Sequence, residues 1–154
     1  MMNFSGPILV VKDEKISREF YERILSQKIA FDFGACQSFE SGLTLQRLSS
    51  MKEIFHIPQE SIRLKSKACV LYFETDEFDQ FIEELNKAQV EILHELIEQE
   101  WGQYSISFYD PDGHPINVCE SMESVFRRFQ GQGMTPEEIA ERTDHPIDFV
   151  KSSL

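Results

Sequence analysis

The chain has 154 residues, of which 41% are hydrophobic and 12% aromatic, so it is long enough to bury a core and lacks a disordered composition. Its formal net charge of -12 argues against nucleic acid as the main partner, because phosphate binding needs a basic face. No apolar run approaches the roughly 20 residues that span a bilayer, and no basic segment followed by a hydrophobic one opens the chain. We therefore expect a cytoplasmic protein that contacts neither nucleic acid nor membrane.

The first third of the chain predicts the order β-α-β-β-β. An apolar strand over residues 7–11 precedes a helix that opens at Asp13 and repeats apolar residues at helical spacing. Strands follow over 28–33, 36–39 and 43–48, the last two joined by a Ser-Gly turn.

The same order then returns. A strand over 68–73, a helix opened by Asp76, a strand over 90–93 and a hairpin over 103–119 form the second unit. Such a repeat indicates two like modules, each too small to bury its sheet alone. Between them lies a long polar connection, residues 49–66, and connections of this length are often functional or cover a site.

The final hairpin is the most informative segment. In its first strand, apolar residues alternate with the small polar Ser105 and Ser107, so one face packs on a core and the other looks onto water or a cavity. The turn, Asp110-Pro-Asp-Gly113, has Pro and Asp for its bends and Gly where a positive φ is needed.

The C-terminal part reads as helical. An apolar stripe runs over 122–129, Thr135-Pro-Glu-Glu138 is a capping-box start, and Pro146 begins another helix. The last two helices could be half of a helix-turn-helix, but their acidic residues would repel phosphates. We expect them to cover the sheet, a neighbouring subunit or a cavity mouth; recruitment of another protein is the alternative.

These features resemble the glyoxalase/bleomycin resistance protein/dioxygenase family of the vicinal oxygen chelate (VOC) superfamily. The strongest match is WGQYSISFYDPDGHPINV at 101–118; the Arg18-Glu-Phe-Tyr21 run is similar to the phenylalanine–tyrosine pair of the family, and YFETDEFDQF at 72–81 resembles the start of its second module. The resemblance implies an α+β fold in which two βαβββ modules form a curved mixed sheet around an open cavity, often completed by dimerisation. We therefore expect a homodimer.

The resemblance also sets the expected domain limits. A paired βαβββ glyoxalase-like domain would span residues 1–120, with modules of about 5–48 and 67–120. Residues 121–154 would form a C-terminal helical extension.

Metal-dependent members of the family hold one divalent ion with His, Gln or Glu from the first and last strands of each module. The resemblance places these positions at Gly6, Thr44, Val70 and Asn117. Gly6 and Val70 have no side-chain donor, Thr44 offers a hydroxyl and Asn117 an amide. First-row divalent ions prefer imidazole or carboxylate ligands. A shift of the fourth strand by two residues would present Gln46, which restores one ligand of four.

The other candidate ligands give no metal-binding pattern. His56, His94, His114 and His145 follow no ligand spacing; we interpret His114 and His145 as solvated surface residues, whereas His94 could face either way. The cysteines, Cys36, Cys69 and Cys119, are odd in number and dispersed, so we interpret them as reduced structural thiols. No metal site is predicted, and a divalent ion at a displaced site is the alternative.

Strand parity predicts the cavity lining. Side chains opposite the core-facing ones form a wall of aromatic rings and neutral hydrogen-bonding groups, to which Trp101 is added, although its indole could simply cap the sheet edge. The predicted ligand-binding residues are Thr44, Gln46, Tyr72, Trp101, Ser105, Ser107, Tyr109 and Asn117.

This wall predicts a protein that binds a small organic molecule in the sheet cavity without the usual metal site. No acid–base pair is identified: tyrosine is a poor base at neutral pH, and we interpret Glu74, a conceivable base, as a solvated strand-end residue. The alternative is a lyase, isomerase or dioxygenase of the superfamily that uses a displaced divalent metal site.

Overall fold

The computed structural model describes all residues, 1–154. The chain divides into two compact units, the first comprising residues 1–70 and 109–115 and the second residues 71–108 and 116–154. Each module contributes one four-stranded mixed sheet. No helix is both long and apolar enough to cross a membrane.

The first module has the strand order β1-β4-β3-β2, with β1 parallel to β4 and the other neighbours antiparallel. Its elements are β1 (Ile8–Val11), α1 (Glu14–Leu25), β2 (Ile29–Asp32), β3 (Cys36–Phe39) and β4 (Thr44–Arg47).

Helix α1 forms where the sequence predicts it. The Asp13 carboxylate accepts hydrogen bonds from the backbone N–H groups of Lys15 and Ile16, at 2.9 and 3.2 Å, which satisfies two donors of the first turn. Its apolar face is buried, with Phe20 and Tyr21 packed edge to face at 5.5 Å between ring centroids. This face covers one side of the first sheet.

The long connection contains short helical segments. A 3-10 turn (Leu48–Ser50) leads into α2 (Met51–Phe55), and a second 3-10 turn (Gln59–Ser61) follows. Met51 is buried and anchors the segment, whereas Ile54 and Phe55 are exposed.

The second module has the strand order β5-β8-β7-β6, with β5 parallel to β8 and β6 antiparallel to β7. Its elements are β5 (Leu71–Thr75), α3 (Phe78–Ala88), β6 (Ile92–Glu98), β7 (Tyr104–Tyr109), β8 (Pro115–Glu120), α4 (Met122–Gly131), α5 (Pro136–Thr143) and α6 (Ile147–Ser153).

Helix α3 covers one face of the second sheet. Phe78 stacks on Tyr104 at 6.4 Å between ring centroids, and Phe81 packs on Phe108 at 6.1 Å. The opposite side, which we call the open face, carries the side chains of alternate strand residues. These are Tyr72, Glu74, Ser105, Ser107, Asn117 and Cys119.

The three C-terminal helices share a small core. Thr135 and Glu138 form the expected capping box at the start of α5. The guanidinium of Arg128 lies 4.5 Å from the centre of the Tyr104 ring, so α4 also packs on the second sheet. The buried core residues are Met122, Val125, Phe126, Phe129, Ile139 and Val150.

The α+β fold with two βαβββ modules and a C-terminal helical extension is confirmed. Two local predictions were wrong. The strand expected over 90–93 is β6, which runs over Ile92–Glu98. Asp76 does not cap α3: the N-cap residue is Glu77, and Asp76 instead accepts a hydrogen bond from Ser121.

Candidate functional site

A row of polar side chains crosses the open face of the second sheet. Tyr72 and Asn117 are partners across β5 and β8, and His94 and Ser107 are partners across β6 and β7. Because β7 and β8 are neighbours, the row is continuous. The Ser107 hydroxyl donates to Oδ1 of Asn117 across 3.2 Å.

This row borders an open pocket of about 350 Å³. The pocket combines apolar side chains with neutral hydrogen-bonding groups, and His94 is the only titratable side chain in its lining. The lining residues are Leu93, His94, Ile97, Gln99, Ser105, Ser107 and Asn117.

Hydrogen bonds fix the floor of the pocket. Gln99 donates from Nε2 to the Ser105 hydroxyl across 2.9 Å, and Ser105 is buried. Asn117 donates from Nδ2 to the sulfur of Cys119 across 3.4 Å. The floor is therefore a network of neutral groups that accept or donate hydrogen bonds without carrying charge.

Tyr72 stands beside this floor with half of its surface exposed. Its hydroxyl donates to Oε1 of Glu74 across 2.5 Å and accepts from Nε2 of Gln103 across 3.3 Å. Partial burial and the hydrogen bond to Glu74 raise the pKa of Tyr72, so it stays protonated at neutral pH. Tyr72 is suited to hydrogen bonding rather than to accepting a proton.

Cys119 lies on the same face, as the strand partner of Glu74. Burial raises the pKa of the Cys119 thiol, so it stays protonated and behaves as a small apolar group. Cys36 and Cys69 are free as well.

Trp101 lies in the turn between β6 and β7. Its indole Nε1 donates to Oε1 of Gln103 across 3.0 Å, and 41% of its surface is exposed. Gln103 is buried and binds both Tyr72 and Trp101, and it was not among the predicted site residues. Its alternation with Ser105 and Ser107 is the one signal that could have identified it.

Three predicted site residues lie in the first unit. The Thr44 hydroxyl shares a 2.9 Å hydrogen bond with Ser38. Gln46 is buried and donates from Nε2 to the carbonyl of Ala35 across 3.2 Å and to the Ser50 hydroxyl. The Lys65 ammonium lies 5.6 Å from the centre of the Tyr109 ring.

The Asp-Pro-Asp-Gly-His turn packs on α1 in the first unit. Asp112 accepts hydrogen bonds from the Lys12 backbone N–H at 3.2 Å and the Ser17 hydroxyl at 3.3 Å. Nδ1 of His114 lies 2.8 Å from the buried Asp110 carboxylate. The interpretation of His114 as a solvated residue was therefore wrong.

His145 is also less exposed than expected. Its ring lies 5.4 Å from the Phe126 ring and 5.7 Å from the Phe149 ring. Its role is packing within the C-terminal helices.

The positions that the resemblance assigns to metal ligands do not fit a first-row divalent ion. Gly6 has a φ of +109°, and a Cβ there would lie 2.1 Å from the Gly42 carbonyl oxygen, so this backbone admits no side chain at all. Val70 is apolar, and the oxygens of Thr44 and Asn117 already share hydrogen bonds with serines.

Nor does another donor set replace them. No three His, Cys, Asp or Glu side chains gather in an arrangement that could hold a metal ion. The pocket on the open face offers one imidazole, His94, among amides and hydroxyls.

Comparisons with known proteins give a consistent set of relatives. Residues 4–123 match the family model described as a glyoxalase-like domain. The chain is 32% identical to the metallothiol transferase FosB of Staphylococcus saprophyticus over 108 residues. This aligned region covers 70% of each chain.

Solved structures share the fold. A protein of unknown function from Agrobacterium tumefaciens is 35% identical, with a TM-score of 0.69 over 79% of this chain and 95% of that one. A glyoxalase/bleomycin resistance protein/dioxygenase from Nocardioides is 21% identical, with a TM-score of 0.61 over 74% of this chain and 80% of that one. The similarity to the Nocardioides protein shows a shared fold alone.

Proposed function

The chain belongs to the glyoxalase-like family, within the VOC superfamily, and we propose that it binds a small organic molecule on the open face of its second sheet without a divalent metal ion. Ser105, Ser107 and Asn117 form the polar floor of the proposed site, with Tyr72 beside it. Thr44, Gln46, Trp101 and Tyr109 stay predicted ligand-binding residues. No catalytic residue is assigned.

The observation that carries this proposal is the chemistry of the expected metal-ligand positions. At Gly6 the backbone excludes any side chain, Val70 has no donor atom, and Thr44 and Asn117 supply only neutral oxygens. Divalent first-row ions bind proteins through imidazole, carboxylate or thiolate groups. The four positions that would hold an ion are therefore suited to other contacts.

The pocket lining supports an organic ligand of low charge. Leu93 and Ile97 supply apolar surface, while Ser107 and Asn117 can orient a ligand through a hydroxyl and an amide. The lining contains no lysine or arginine, so a highly charged phosphate compound would lack a counter-ion.

Fragment binding to the chelator-treated protein tests the proposal. After treatment with EDTA, we expect small neutral amides and aromatic fragments to shift the Asn117 side-chain amide signals in a nitrogen–proton correlation spectrum. Ser107→Ala and Asn117→Ala should each weaken binding about five- to tenfold, the effect of one lost hydrogen bond. Ser61→Ala is the matched control, because its hydroxyl bonds only the nearby Pro58 carbonyl on an exposed turn. Fragments that shift no residue of the open face would refute the proposal.

Similarity to a metallothiol transferase supports a second candidate function. In this second candidate function the protein is a lyase, isomerase or dioxygenase of the superfamily. A divalent ion then binds away from the usual strand positions, with His94 as one ligand. Calorimetric titration with Ni²⁺, Mn²⁺ and Zn²⁺ distinguishes the two. Tight, stoichiometric binding that His94→Ala abolishes would favour the enzyme.

We also propose that the protein is a cytoplasmic homodimer. Family membership supports the dimer, and three free, dispersed cysteines support a reducing compartment. Light scattering coupled to size-exclusion chromatography should give twice the 18.0 kDa chain mass. A mass of one chain at micromolar concentration would contradict the dimer.

A further inference from the structure

One buried amide on the second sheet organises two exposed aromatic side chains. Gln103 is only 4% exposed. From Nε2 it donates to the Glu120 carbonyl at 2.7 Å and to the Tyr72 hydroxyl at 3.3 Å, and at Oε1 it accepts from the Trp101 indole at 3.0 Å. The bond to the β8 backbone fixes the amide, which holds the Trp101 indole and, together with the Glu74 carboxylate, the Tyr72 hydroxyl.

Both aromatic side chains are held at their polar ends while their rings stay open to solvent. Tyr72 is 55% exposed and Trp101 is 41% exposed. An exposed aromatic side chain usually samples several rotamers, and restricting it lowers the entropy that a ligand would otherwise have to remove. Two solvent-exposed rings of fixed orientation therefore form a preorganised surface on which another apolar group can pack.

The surroundings of the rings define the ligand further. Tyr72 is the strand partner of Asn117, so a molecule that lies on the Tyr72 ring has its edge near an amide. The Glu74 carboxylate accepts from the Tyr72 hydroxyl and would repel an anion. A flat ring with a neutral hydrogen-bonding edge fits these neighbours.

We propose that Gln103 is a positioning residue that holds Tyr72 and Trp101 as aromatic walls for a flat, conjugated ring compound of neutral charge. This inference rests on the proposed small-molecule binding and names the ligand class of that same face. Gln103 acts through the two rings rather than by touching the ligand.

A pair of matched probes tests the ligand class. Phthalimide is a flat, neutral bicyclic imide, and cis-hexahydrophthalimide has the same polar edge on a puckered ring. Trp101 is the only tryptophan of the chain, so its indole N–H gives one signal in a nitrogen–proton correlation spectrum. We expect phthalimide to shift this signal and to bind about fivefold more tightly than hexahydrophthalimide, since stacking on aromatic rings favours the flat compound by about that factor.

Variants test the positioning role. Gln103→Met keeps the length of the side chain and removes its hydrogen bonds, and it should lower both the phthalimide affinity, about fivefold, and the fluorescence anisotropy of Trp101. Tyr72→Phe keeps the ring and removes both hydrogen bonds of the Tyr72 hydroxyl, whereas Trp101 stays bound to Gln103, so it should weaken phthalimide binding by a smaller factor. Gln130→Met, on the exposed surface of α4, is the control and should change neither quantity.

Equal affinity for the two imides, or a Trp101 signal that does not move, would overturn the aromatic walls. Unchanged affinity and anisotropy in Gln103→Met would overturn the positioning role; if that variant does not fold, unchanged affinity in Tyr72→Phe does so. Fragments that shift Asn117 but not Trp101 would leave the proposed function intact and remove this inference, whereas fragments that shift neither would remove both.

Discussion

The Tyr21 hydroxyl donates a 3.0 Å hydrogen bond to Oδ2 of Asp110, and so fastens helix α1 to the turn between β7 and β8. Both side chains are buried. Asp110 also accepts from the backbone N–H groups of Asp112 and His114, at 2.9 and 2.8 Å. The acidic turn is thus a structural element of the first unit, in which both carboxylates accept hydrogen bonds from protein donors.

Removal of the Tyr21 hydroxyl should destabilise the protein. We expect Tyr21→Phe to lower the free energy of unfolding by about 2 kcal/mol, because a buried hydrogen bond to a charged group contributes about 1.5–3 kcal/mol. Urea denaturation measures this change. Tyr104→Phe is the matched control, since the Tyr104 ring, which packs on Phe78 and Arg128, is retained. An equal loss in both variants would contradict a specific role for the Tyr21 hydroxyl.

The same carboxylate should make stability depend on acid pH. Burial raises the pKa of Asp110, but the hydrogen bond and charge of His114 outweigh it, so the pKa lies below its ordinary value. A carboxyl whose folded pKa is depressed stabilises the protein above its unfolded pKa, about 3.9, and that contribution is lost as the pH falls through the folded pKa.

The comparison with Asp110→Asn isolates this contribution. The difference in unfolding free energy between the wild type and the variant should shrink as the pH falls below about 4, where the Asp110 carboxylate becomes protonated. Urea titrations at several pH values give the difference directly. A difference that stays constant, or grows, as the pH falls from about 4 to about 2 would show that the Asp110 pKa is not depressed.

Gly102 should tolerate no side chain. Its φ is +90°, and a Cβ there would lie 2.2 Å from the ring of the buried Phe129. We expect Gly102→Ala to cost about 2 kcal/mol or more, through backbone strain and displacement of the ring. Gly131→Ala, in α4 with no atom within 4 Å of the new Cβ, should be neutral or slightly stabilising. Thermal unfolding of the two variants side by side measures the contrast.

Arg128 should contribute more than an ordinary surface cation. Its guanidinium lies 2.7 Å from the Glu120 carboxylate, which is only 9% exposed. Arg128→Met leaves this carboxylate without its partner and should cost about 3 kcal/mol. Arg127→Met is the control, because its 3.2 Å pair with Asp76 is largely exposed and should contribute less than about 1 kcal/mol.

A double-mutant cycle separates the pair from other effects. The loss caused by Arg128→Met should shrink when Glu120 is already Gln. An undiminished loss would mean that other contacts of Arg128, such as its packing on Tyr104 and its hydrogen bond to the Gly102 carbonyl, stabilise α4 against the sheet and the ion pair does not.

The order of elements was predictable because most strands alternate and the helices have apolar faces. The bounds of β6 were not, because it is an edge strand: only Leu93 is partly buried among its seven residues, so no buried face imposes a period on the sequence. Two register shifts against β7 disturb its alternation further. The predicted start of α3 at Asp76 was wrong for a different reason, because the hydroxyl of Ser121, distant in sequence, donates a hydrogen bond to the Asp76 carboxylate.

The residues that share the open face were predictable where strand parity determines the face. Parity predicts Tyr72, Ser107 and Asn117 on one face, and the pairing of Tyr72 with Asn117 and the Ser107–Asn117 hydrogen bond agree with it. His94 joins that row only through the register of β6, which no local pattern reveals. Gln103 lies outside the regular strand, and its role depends on the β8 backbone and on two side chains brought together by folding.

The metal content of the purified protein tests the central claim most directly. Elemental analysis of the full chain, expressed in medium that contains zinc, nickel, manganese and iron, should give far less than one ion per chain, and fragment binding should be unaffected by a chelator. Near-stoichiometric metal, removed by the chelator together with ligand binding or activity, would contradict a binding site formed by neutral side chains.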